Sequence, residues 1–466
     1  MAIYSPEDFR SDDNPLPPRI IATEMEYLVS VGLGRESQAN SVIRAAKFML
    51  DSSLESQFLP NGSRIYPDMC HVEYAAAESL GPLQATCAEM AGQTIVAMAA
   101  SEKVGDKHQI YRRTGTGHDT SKRTSVGYHQ NLLTPPYEDK EIQRRDALIM
   151  GSYLATRVIW AGSGMVDEEF VLSQKAHDVS RTRQEIVRVG AMRNRITERD
   201  KPLLSWSTGT SGNIESHAQD WERLEIRYAD AVHSPWARFM SMATASLVLR
   251  ICENSEKFDA NVWSELMFES LPSVVQKASA DLSFKEMHKT QSGHSVSPLE
   301  MQRKFATMAI ELSKMVDLPE DEVMAAHEWL RVCDDLEQVD IAYPETLKKI
   351  CDRVEWAARY LALRSKVGAS AINRNNKDAV NVDLAWDQIY PHSFADDKVW
   401  RKKQPNFYAK YESEILNLML TPPRFTRAYV RGSRLSAGGI VPASSWIMVR
   451  HRGRTLNLSD PYDYGD

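Results

Sequence analysis

The residues of this sequence best suited to chemistry are acids on strand-like stretches between residues 20 and 78. They are Glu24, Glu26, Asp68, Glu73 and Glu78. Acids on neighbouring strands need a counter-ion, because like charges that lie close together disfavour ionisation. Carboxylate oxygens with few soft ligands suit Mg²⁺, which completes its coordination shell with water and substrate phosphates. The cluster therefore predicts a magnesium site beside a phosphate-bearing substrate, and the alternative is an antiparallel sheet whose polar face meets solvent.

Basic, aromatic and imidazole side chains accompany these acids. Arg64, Tyr66 and Asp68 alternate along one stretch, so a strand there directs all three side chains to the same face. His71 and His129 are candidate metal or phosphate ligands, with a structural role as the alternative for each. Together with the acids, these residues predict one site on the face of a sheet.

The elements that must position these residues follow from periodicity. Residues 19–31 read as a strand on which Glu24 and Glu26 project from one face, and residues 63–68 read as a second strand that continues over residues 73–78. Helical patterns cover residues 36–52, 81–103 and 140–161, and nearly all of residues 235–368. Residues 107–130 read as a long loop or a loosely paired hairpin, and residues 426–430 and 446–451 as short strands. This order of elements predicts an α+β fold.

Composition excludes several classes of protein. Among 466 residues, 56 Lys and Arg face 63 Asp and Glu, and this net charge of -7 gives no overall field for nucleic acid or an anionic membrane. Five scattered cysteines without a CxxC pair argue against a disulfide framework or a structural zinc site. The N-terminus is rich in acids and prolines and does not resemble a secretory signal, so we expect a cytoplasmic protein with no nucleic-acid or membrane partner. The basic residues Arg112, Arg113, Lys122 and Arg123 either bind an acidic partner or form a solvated loop.

Several motifs resemble the family that contains the Pup ligase and the Pup deamidase, or depupylase, a relative of glutamine synthetase. They are Ala22-Thr-Glu-Met-Glu-Tyr27, Asn61-Gly-Ser-Arg-Ile-Tyr-Pro-Asp68, His71-Val-Glu-Tyr-Ala-Ala-Ala-Glu78, Gly127-Tyr-His-Gln-Asn131, Thr197-Glu-Arg-Asp-Lys-Pro202 and Pro422-Pro-Arg-Phe-Thr-Arg-Ala-Tyr-Val-Arg-Gly432. The resemblance implies a glutamine synthetase-like domain over residues 19–393, with a curved, mainly antiparallel sheet backed by helices. A flexible leader, residues 1–18, would precede it, and a small C-terminal domain, residues 394–466, would follow.

The resemblance also implies roles for individual residues. Asp68 would be the catalytic base or nucleophile. Magnesium would be held by Glu24, Glu26, Tyr66 and Glu73. ATP would be contacted by Arg64, Trp446, Arg223, Arg199 and His129. The implied cofactors are ATP and Mg²⁺, and the implied partner is Pup or a pupylated protein, or otherwise an unidentified acceptor.

Three positions depart from the family pattern: Gln130 replaces a Glu, Ala76 replaces a small hydroxyl residue, and Glu225 stands where a His is usual. The two residues between Asp68 and His71 are typical of depupylases, whereas the short stretch of residues 28–59 cannot hold the long loop of the deamidase. The balance favours an ATP-dependent hydrolase of a γ-glutamyl amide or isopeptide bond. The alternatives are a Pup–protein ligase, a phosphotransferase for a non-Pup acceptor, and a weakly catalytic nucleotide-binding or regulatory protein.

Overall fold

The computed structural model describes residues 5–10, 15–30, 35–52, 57–68, 70–103, 109–115, 125–179, 187–189, 202–207, 220–439 and 445–464. Its strands are β1 Ile20–Ser30, β2 Arg64–Asp68, β3 His71–Ala75, β4 Ser79–Leu80, β5 Gln109–Tyr111, β6 Tyr128–Thr134, β7 Met165–Val166, β8 Phe170–Val171, β9 Val187–Val189, β10 Leu204–Ser207, β11 Glu222–Ile226, β12 His288–Lys289, β13 Ser295–Val296, β14 Gln388–Tyr390, β15 Met448–His451 and β16 Arg454–Asn457.

Ten of these strands form one sheet in the order β14-β5-β1-β6-β11-β10-β9, with β3 and β4 also pairing to β1, and β2 pairing to β3. In the described part of the chain its strand pairs are antiparallel, apart from the parallel pair β9 and β10. β1 is the hub, because four different strands pair with it. Its side chains alternate: Ile21, Met25 and Tyr27 are buried, whereas Glu24 and Glu26 are half-buried on the opposite face.

Helices supply the rest of the core. They are α1 Arg35–Met49, α2 Gly81–Lys103, α3 Lys140–Thr156, α4 Val158–Ala161, α5 Pro235–Glu253, α6 Val262–Glu265, α7 Leu271–Ala280, α8 Pro298–Met315, α9 Glu320–Glu337, α10 Pro344–Leu347, α11 Glu355–Val367, α12 Lys377–Asp387, α13 Arg401–Lys403, α14 Pro405–Leu420 and α15 Arg427–Ser436, with a π-helical turn at Ala395–Trp400. α2 packs on β1 and against α1, α5 and α14. One apolar cluster joins the buried face of β1 to these helices. The α+β prediction, with a mainly antiparallel sheet backed by helices, is confirmed.

The C-terminal prediction fails in one element. Residues 426–430, expected as a strand, begin the helix α15. Arg427 and Arg431 lie four residues apart, so a helix brings both guanidinium groups to one side, where each contacts the buried carboxylate of Glu78. A strand could not present both in this way. The predicted strand at residues 446–451 is present as β15. The boundary at residue 394 stays a prediction.

The prediction of a basic loop is wrong for Arg112 and Arg113, which are both buried. Arg112 pairs with Glu89, and Arg113 pairs with Asp387 at 2.6 Å. Buried guanidinium groups are retained where carboxylates neutralise them, so these two residues brace β5 against the helices and offer no surface to an acidic partner. Lys122 and Arg123 lie outside the described residues.

The predicted leader also departs from expectation. Pro6–Arg10 forms a short 3₁₀ helix, and Phe9 within it is buried against Trp221 and Tyr462. Aromatic packing therefore fastens this part of the leader to the folded body. Within the described ranges, no helix combines the length and the apolar character needed to cross a bilayer.

Candidate active site

Apart from Trp446, in the C-terminal segment, and Arg199, outside the described residues, the predicted site residues share one face of five adjacent strands: β2, β3, β1, β6 and β11. Register aligns Tyr66 with Glu73, and Glu73 with Glu26, across β2, β3 and β1. Glu24 is aligned with His129 on β6. Because directly opposed residues in a sheet point to the same side, the side chains that were far apart in the sequence meet on this face.

The first group on this face consists of Glu26, Asp68 and Glu73, whose ligand atoms lie within 4.8 Å of one another. The Tyr66 hydroxyl donates to Glu73 Oε1 at 2.5 Å. His71 Nδ1 lies 3.3 Å from Glu26 Oε2. Three carboxylates, with a phenol and an imidazole beside them, form an oxygen-rich donor set of the kind that suits Mg²⁺.

The shifted pKa values in this first group reflect several negative charges that lie close together. Burial, and then the neighbouring charge of Glu24, raise the pKa of Glu73 well above its ordinary value. Burial, and then the charge of Glu73, likewise raise the pKa of Tyr66. Burial also acts to raise the pKa of Glu26, but its hydrogen bond with His71 and other contacts outweigh burial and the net pKa is lowered. A divalent cation would relieve the repulsion.

The second group consists of Glu24, His129 and Glu225, whose ligand atoms also lie within 4.8 Å of one another. His129 Nδ1 is 3.2 Å from Glu24 Oε2 and 3.2 Å from Glu225 Oε1. The Asn131 amide donates to Glu24 Oε1 at 3.1 Å, and Arg223 donates to Asn131 Oδ1 at 3.0 Å. Two carboxylates and an imidazole make a second candidate set of cation ligands, with Asn131 and Arg223 orienting Glu24.

Glu225 stays ionised although it is largely enclosed. Burial acts to raise its pKa, but the positive charge of Arg227, followed by those of His129 and Arg223, lowers it overall. The guanidinium of Arg227 lies 3.5 Å from Glu225 Oε1. The position where the family usually has a His thus carries a negative charge that points at the same centre as Glu24.

A cavity open to solvent lies beside the second group, and Glu24 of that group lines it. Asn131 on β6, Arg223 on β11, Ala76 directly after β3 and Trp446 from the C-terminal segment also line it. The whole lining comprises Ile20, Ala22, Thr23, Glu24, Ala75, Ala76, Glu78, Asn131, Leu132, Leu133, Arg223, Arg427, Trp446 and Pro461. A mostly apolar lining with a few charged and polar groups is typical of small-molecule sites.

Phe58 and Arg431 both contact the side chain of Trp446. Its ring packs edge-on against Phe58, with centroids 4.9 Å apart, and the Arg431 guanidinium lies 4.9 Å from the Trp446 ring centroid. Arg431 also donates to the Trp446 carbonyl at 3.3 Å and is paired with Glu78. The buried ion pair therefore connects the strand region to the side chain predicted to pack on the nucleotide.

Two residues predicted to contact ATP, Arg64 and His129, do not line the cavity, and His129 belongs to the second group instead. Arg64 lies on the site face, but its guanidinium stacks 4.1 Å from the Tyr66 ring centroid and donates to Gln57 at 3.0 Å. Arg199 lies outside the described residues. Glu78, one of the five clustered acids, belongs to neither metal group, because it is enclosed by Arg427 and Arg431, which lower its pKa to about 2 against the opposing effect of burial.

The structure also shows that Gln130, which replaces a Glu of the family pattern, lies away from the metal groups, and it places near the site two residues that the sequence analysis did not single out. Gln130 does not face the metal groups: it is buried on the helical side, where it donates to Ser241 at 2.8 Å and accepts from Arg157 at 3.1 Å. Its neighbour His129 faces the site, so alternation along the strand could have separated the two. Asn131 and Arg227 were not singled out, although each lies two residues from a site residue on its strand.

Comparisons with known proteins show the family of the chain and structures with a similar fold. The family model described as "Pup-ligase protein" matches residues 19–449. The chain is 26% identical to a Pup–protein ligase of Bifidobacterium longum, over 96% of this chain and 91% of the relative, and 25% identical to that of Actinosynnema mirum, over 87% of each. Among solved structures, the complex between the prokaryotic ubiquitin-like protein Pup and its ligase PafA has a TM-score of 0.78 at 18% identity, covering 98% of this chain and 92% of that chain. The Pup ligase PafA in complex with ADP has a TM-score of 0.70 at 19% identity, covering 94% and 93%.

Proposed function

Since the chain belongs to the Pup-ligase protein family, we propose that it is an ATP-dependent ligase that joins Pup to a lysine amine of a protein. The observation that carries the proposal is that Asp68, the two sets of candidate cation ligands and a cavity open to solvent lie on one face of the sheet. A ligase of this kind needs a base, a cation site and an ATP pocket close together. The two relatives compared above, from Bifidobacterium longum and Actinosynnema mirum, match most of this chain and are Pup–protein ligases.

The hydrolase interpretation favoured by the sequence finds no support in these comparisons. It depended on the two-residue spacing between Asp68 and His71, which are register partners at the end of the β2–β3 hairpin.

Magnesium fits the residues that are present. Glu26, Glu73 and Tyr66 would hold one ion, while Glu24, His129 and Glu225 offer a second set of ligands. The donor atoms are hard oxygens with a single imidazole nitrogen, which agrees with Mg²⁺ and not with a thiolate-selecting metal. Burial and then the charge of Glu24 raise the pKa of Glu73, and a bound divalent cation would favour its ionised form.

In the proposed mechanism, Trp446 and Arg223, which line the cavity, would hold ATP, and Glu24 would hold the magnesium ion bound with it. When bound, magnesium-ATP supplies the phosphoryl group that converts a carboxylate of Pup into an acyl phosphate. Asp68 accepts a proton from the lysine ammonium of the target, and the free amine attacks the acyl carbon. An amide bond forms as phosphate leaves. Arg223, which lines the cavity, would stabilise the phosphate charge.

The test is incubation of the purified protein with magnesium-ATP, Pup carrying a C-terminal glutamate and a lysine-containing protein. Conjugate formation is followed by gel shift and ADP release by chromatography. We expect conjugation that needs all four components and that falls by at least about a hundredfold in Asp68→Asn, because general-base catalysis typically contributes that much. Asp397→Asn, an exposed position away from the site, serves as the matched control.

The outcomes separate the remaining functions. Release of Pup from a conjugate, without formation of one, would overturn the ligase proposal in favour of the hydrolase. ATP consumption that does not respond to Pup would indicate a phosphotransferase for another acceptor. Equal activity of Asp68→Asn and Asp397→Asn would remove Asp68 from the mechanism.

A further inference from the structure

The N-terminal segment, residues 5–10 and 15–18, lies outside the stretch that matches the family, which begins at residue 19. The segment nevertheless contributes to the interior: Phe9 and Leu16 are both buried. Burial of a large aromatic side chain is among the strongest apolar contributions a residue makes. The side chains that enclose Phe9 therefore indicate what the segment does.

Phe9 sits in a socket made by distant parts of the chain. Its ring packs edge-on against Trp221 at a centroid distance of 5.3 Å and lies 6.2 Å from the ring of Tyr462. The guanidinium carbons of Arg19 and Arg250 lie 5.2 Å and 5.0 Å from the Phe9 ring centroid. The ring thus shields two buried cations from water and completes an aromatic cluster.

The same socket forms the back of the nucleotide cavity. Ile20 and Leu133 belong to one apolar cluster with Phe9 and also line the cavity. Arg19, beneath the Phe9 ring, donates to the carbonyl of Leu133 at 2.6 Å. Pro461, on the cavity wall, immediately precedes the tyrosine that packs on Phe9. Phe9 is therefore separated from the cavity by a single layer of side chains.

Two hydrogen bonds, which do not involve Phe9 itself, also hold the segment. The Leu16 amide donates to the Asp317 carbonyl at 2.9 Å, and the Tyr462 hydroxyl donates to the Pro18 carbonyl at 3.2 Å. Truncation of Phe9 alone therefore leaves these anchors in place. The effect of the ring can be measured without removing the whole segment.

We propose that Phe9 is a positioning residue for the nucleotide: it closes the inner end of the cavity by supporting Ile20 and Leu133. The inference rests on the proposed use of ATP. Without the ring, a void opens behind these two side chains, and water reaches the arginines that hold the cavity wall. A nucleotide would then bind to a wall that is no longer packed. By linkage, nucleotide binding must stabilise the N-terminal segment to the same extent that the segment stabilises nucleotide binding.

The first experiment compares Phe9→Ala, Phe9→Leu and Phe48→Ala in the full-length chain. Phe48 is 77% exposed on α1 and gives the same chemical change without a buried contact. Direct ADP binding is measured by calorimetry with magnesium present, and KM for ATP and kcat are measured in the conjugation assay. We expect Phe9→Ala to weaken ADP binding and raise KM for ATP roughly tenfold, a common size for coupling between sites. kcat at saturating ATP should change less than about twofold.

Phe9→Leu restores an apolar filling and should recover most of the affinity, while Phe48→Ala should match the wild type. Unchanged ADP affinity in Phe9→Ala, or a loss confined to kcat, would overturn the inference. If the wild type itself does not bind ADP, the proposed function fails. If it binds ADP and Phe9→Ala binds equally well, only the role of Phe9 fails.

A second measurement covers the case in which Phe9→Ala does not fold. Hydrogen exchange of the wild-type amides in residues 5–10 is followed with and without ADP. We expect ADP to slow exchange in this segment, because nucleotide binding and segment docking are reciprocal. Exchange that is slowed at the cavity walls but unchanged in residues 5–10 would contradict the inference.

Discussion

Replacement of Glu78 by Gln tests whether the ion pair behind Trp446 holds the C-terminal segment in place. Glu78 contacts both Arg427 and Arg431, and its side chain and theirs are buried. Burial opposes its ionisation, yet the charges of the two arginines lower its pKa from 4.5 to about 2. At about 1.4 kcal/mol per pKa unit, this shift corresponds to roughly 3 kcal/mol of stability near neutral pH. Loss of one partner of a buried pair typically costs a similar ~3–5 kcal/mol.

The assay is equilibrium urea denaturation followed by tryptophan fluorescence at several pH values. Since the folded pKa of Glu78 is depressed, its contribution is present above pH 4.5 and is lost as the pH falls toward 2. The wild type should therefore exceed Glu78→Gln by about 3 kcal/mol at pH 7, and the difference should shrink below pH 4.5. Glu412→Gln is the matched control, because Glu412 pairs with Arg401 at the surface, where such pairs contribute at most ~1 kcal/mol.

Two results would refute this reasoning. Equal unfolding free energies for the wild type and Glu78→Gln at pH 7 would show that the pair contributes nothing to the fold. A difference that stays constant between pH 6 and pH 2 would show that the ionised carboxylate is not its source. In the second case, shape and packing at Glu78 would account for the destabilisation.

Two further predictions concern the sheet. Burial is the main cause that raises the pKa of Glu222 to about 7, so the folded protein favours the protonated carboxyl and its stability should fall as the pH rises from 4.5 through 7. The urea midpoints of the wild type at pH 5 and pH 8 should therefore differ, and those of Glu222→Gln should differ less. Identical pH profiles for the two proteins would contradict this prediction. Glu225→Ala should raise the Mg²⁺ concentration for half-maximal ATP turnover at least about tenfold, because loss of even an outer-shell partner costs that much. Gln130→Ala, on the opposite face of the sheet, should leave the Mg²⁺ requirement unchanged, and an equal rise in both variants would remove Glu225 from the cation site.

Periodicity was sufficient to predict the main elements and the common face. The predicted helix over residues 81–103 matches α2 at both ends. A long run of small apolar residues begins there at Gly81, whose φ of 83° is readily adopted by glycine. The strand over residues 19–31 was equally clear. Its even-numbered acids and odd-numbered apolar residues specify which side faces the helices.

The predictions that failed depended on partners far away in the sequence. α15 was read as a strand because nothing near residue 427 reveals that its arginines meet a carboxylate about 350 residues earlier. The leader was predicted to be flexible because Trp221 and Tyr462, which bury its Phe9, come from distant parts of the sequence. Local pattern does not contain such tertiary contacts.

Other errors could have been avoided with the same pattern. Glu78 is five residues after Glu73, so on a continuous strand the two side chains point to opposite faces. Gln130 directly follows His129 and must also point away from it. Alternation therefore already separated these two residues from the metal groups, although the shared acidic or amide character of the cluster suggested a single site.

The division of the site into two groups follows from the position of β1 in the sheet. Glu24 and Glu26 project from the same face, but β1 has β6 along one edge and β3 along the other. Glu24 therefore meets His129 and Glu225, whereas Glu26 meets Glu73 and Asp68. A one-residue slip of β1 would turn both acids toward the helices and expose Met25 and Tyr27. The apolar residues that build the core thus also fix the register on which both cation sites depend.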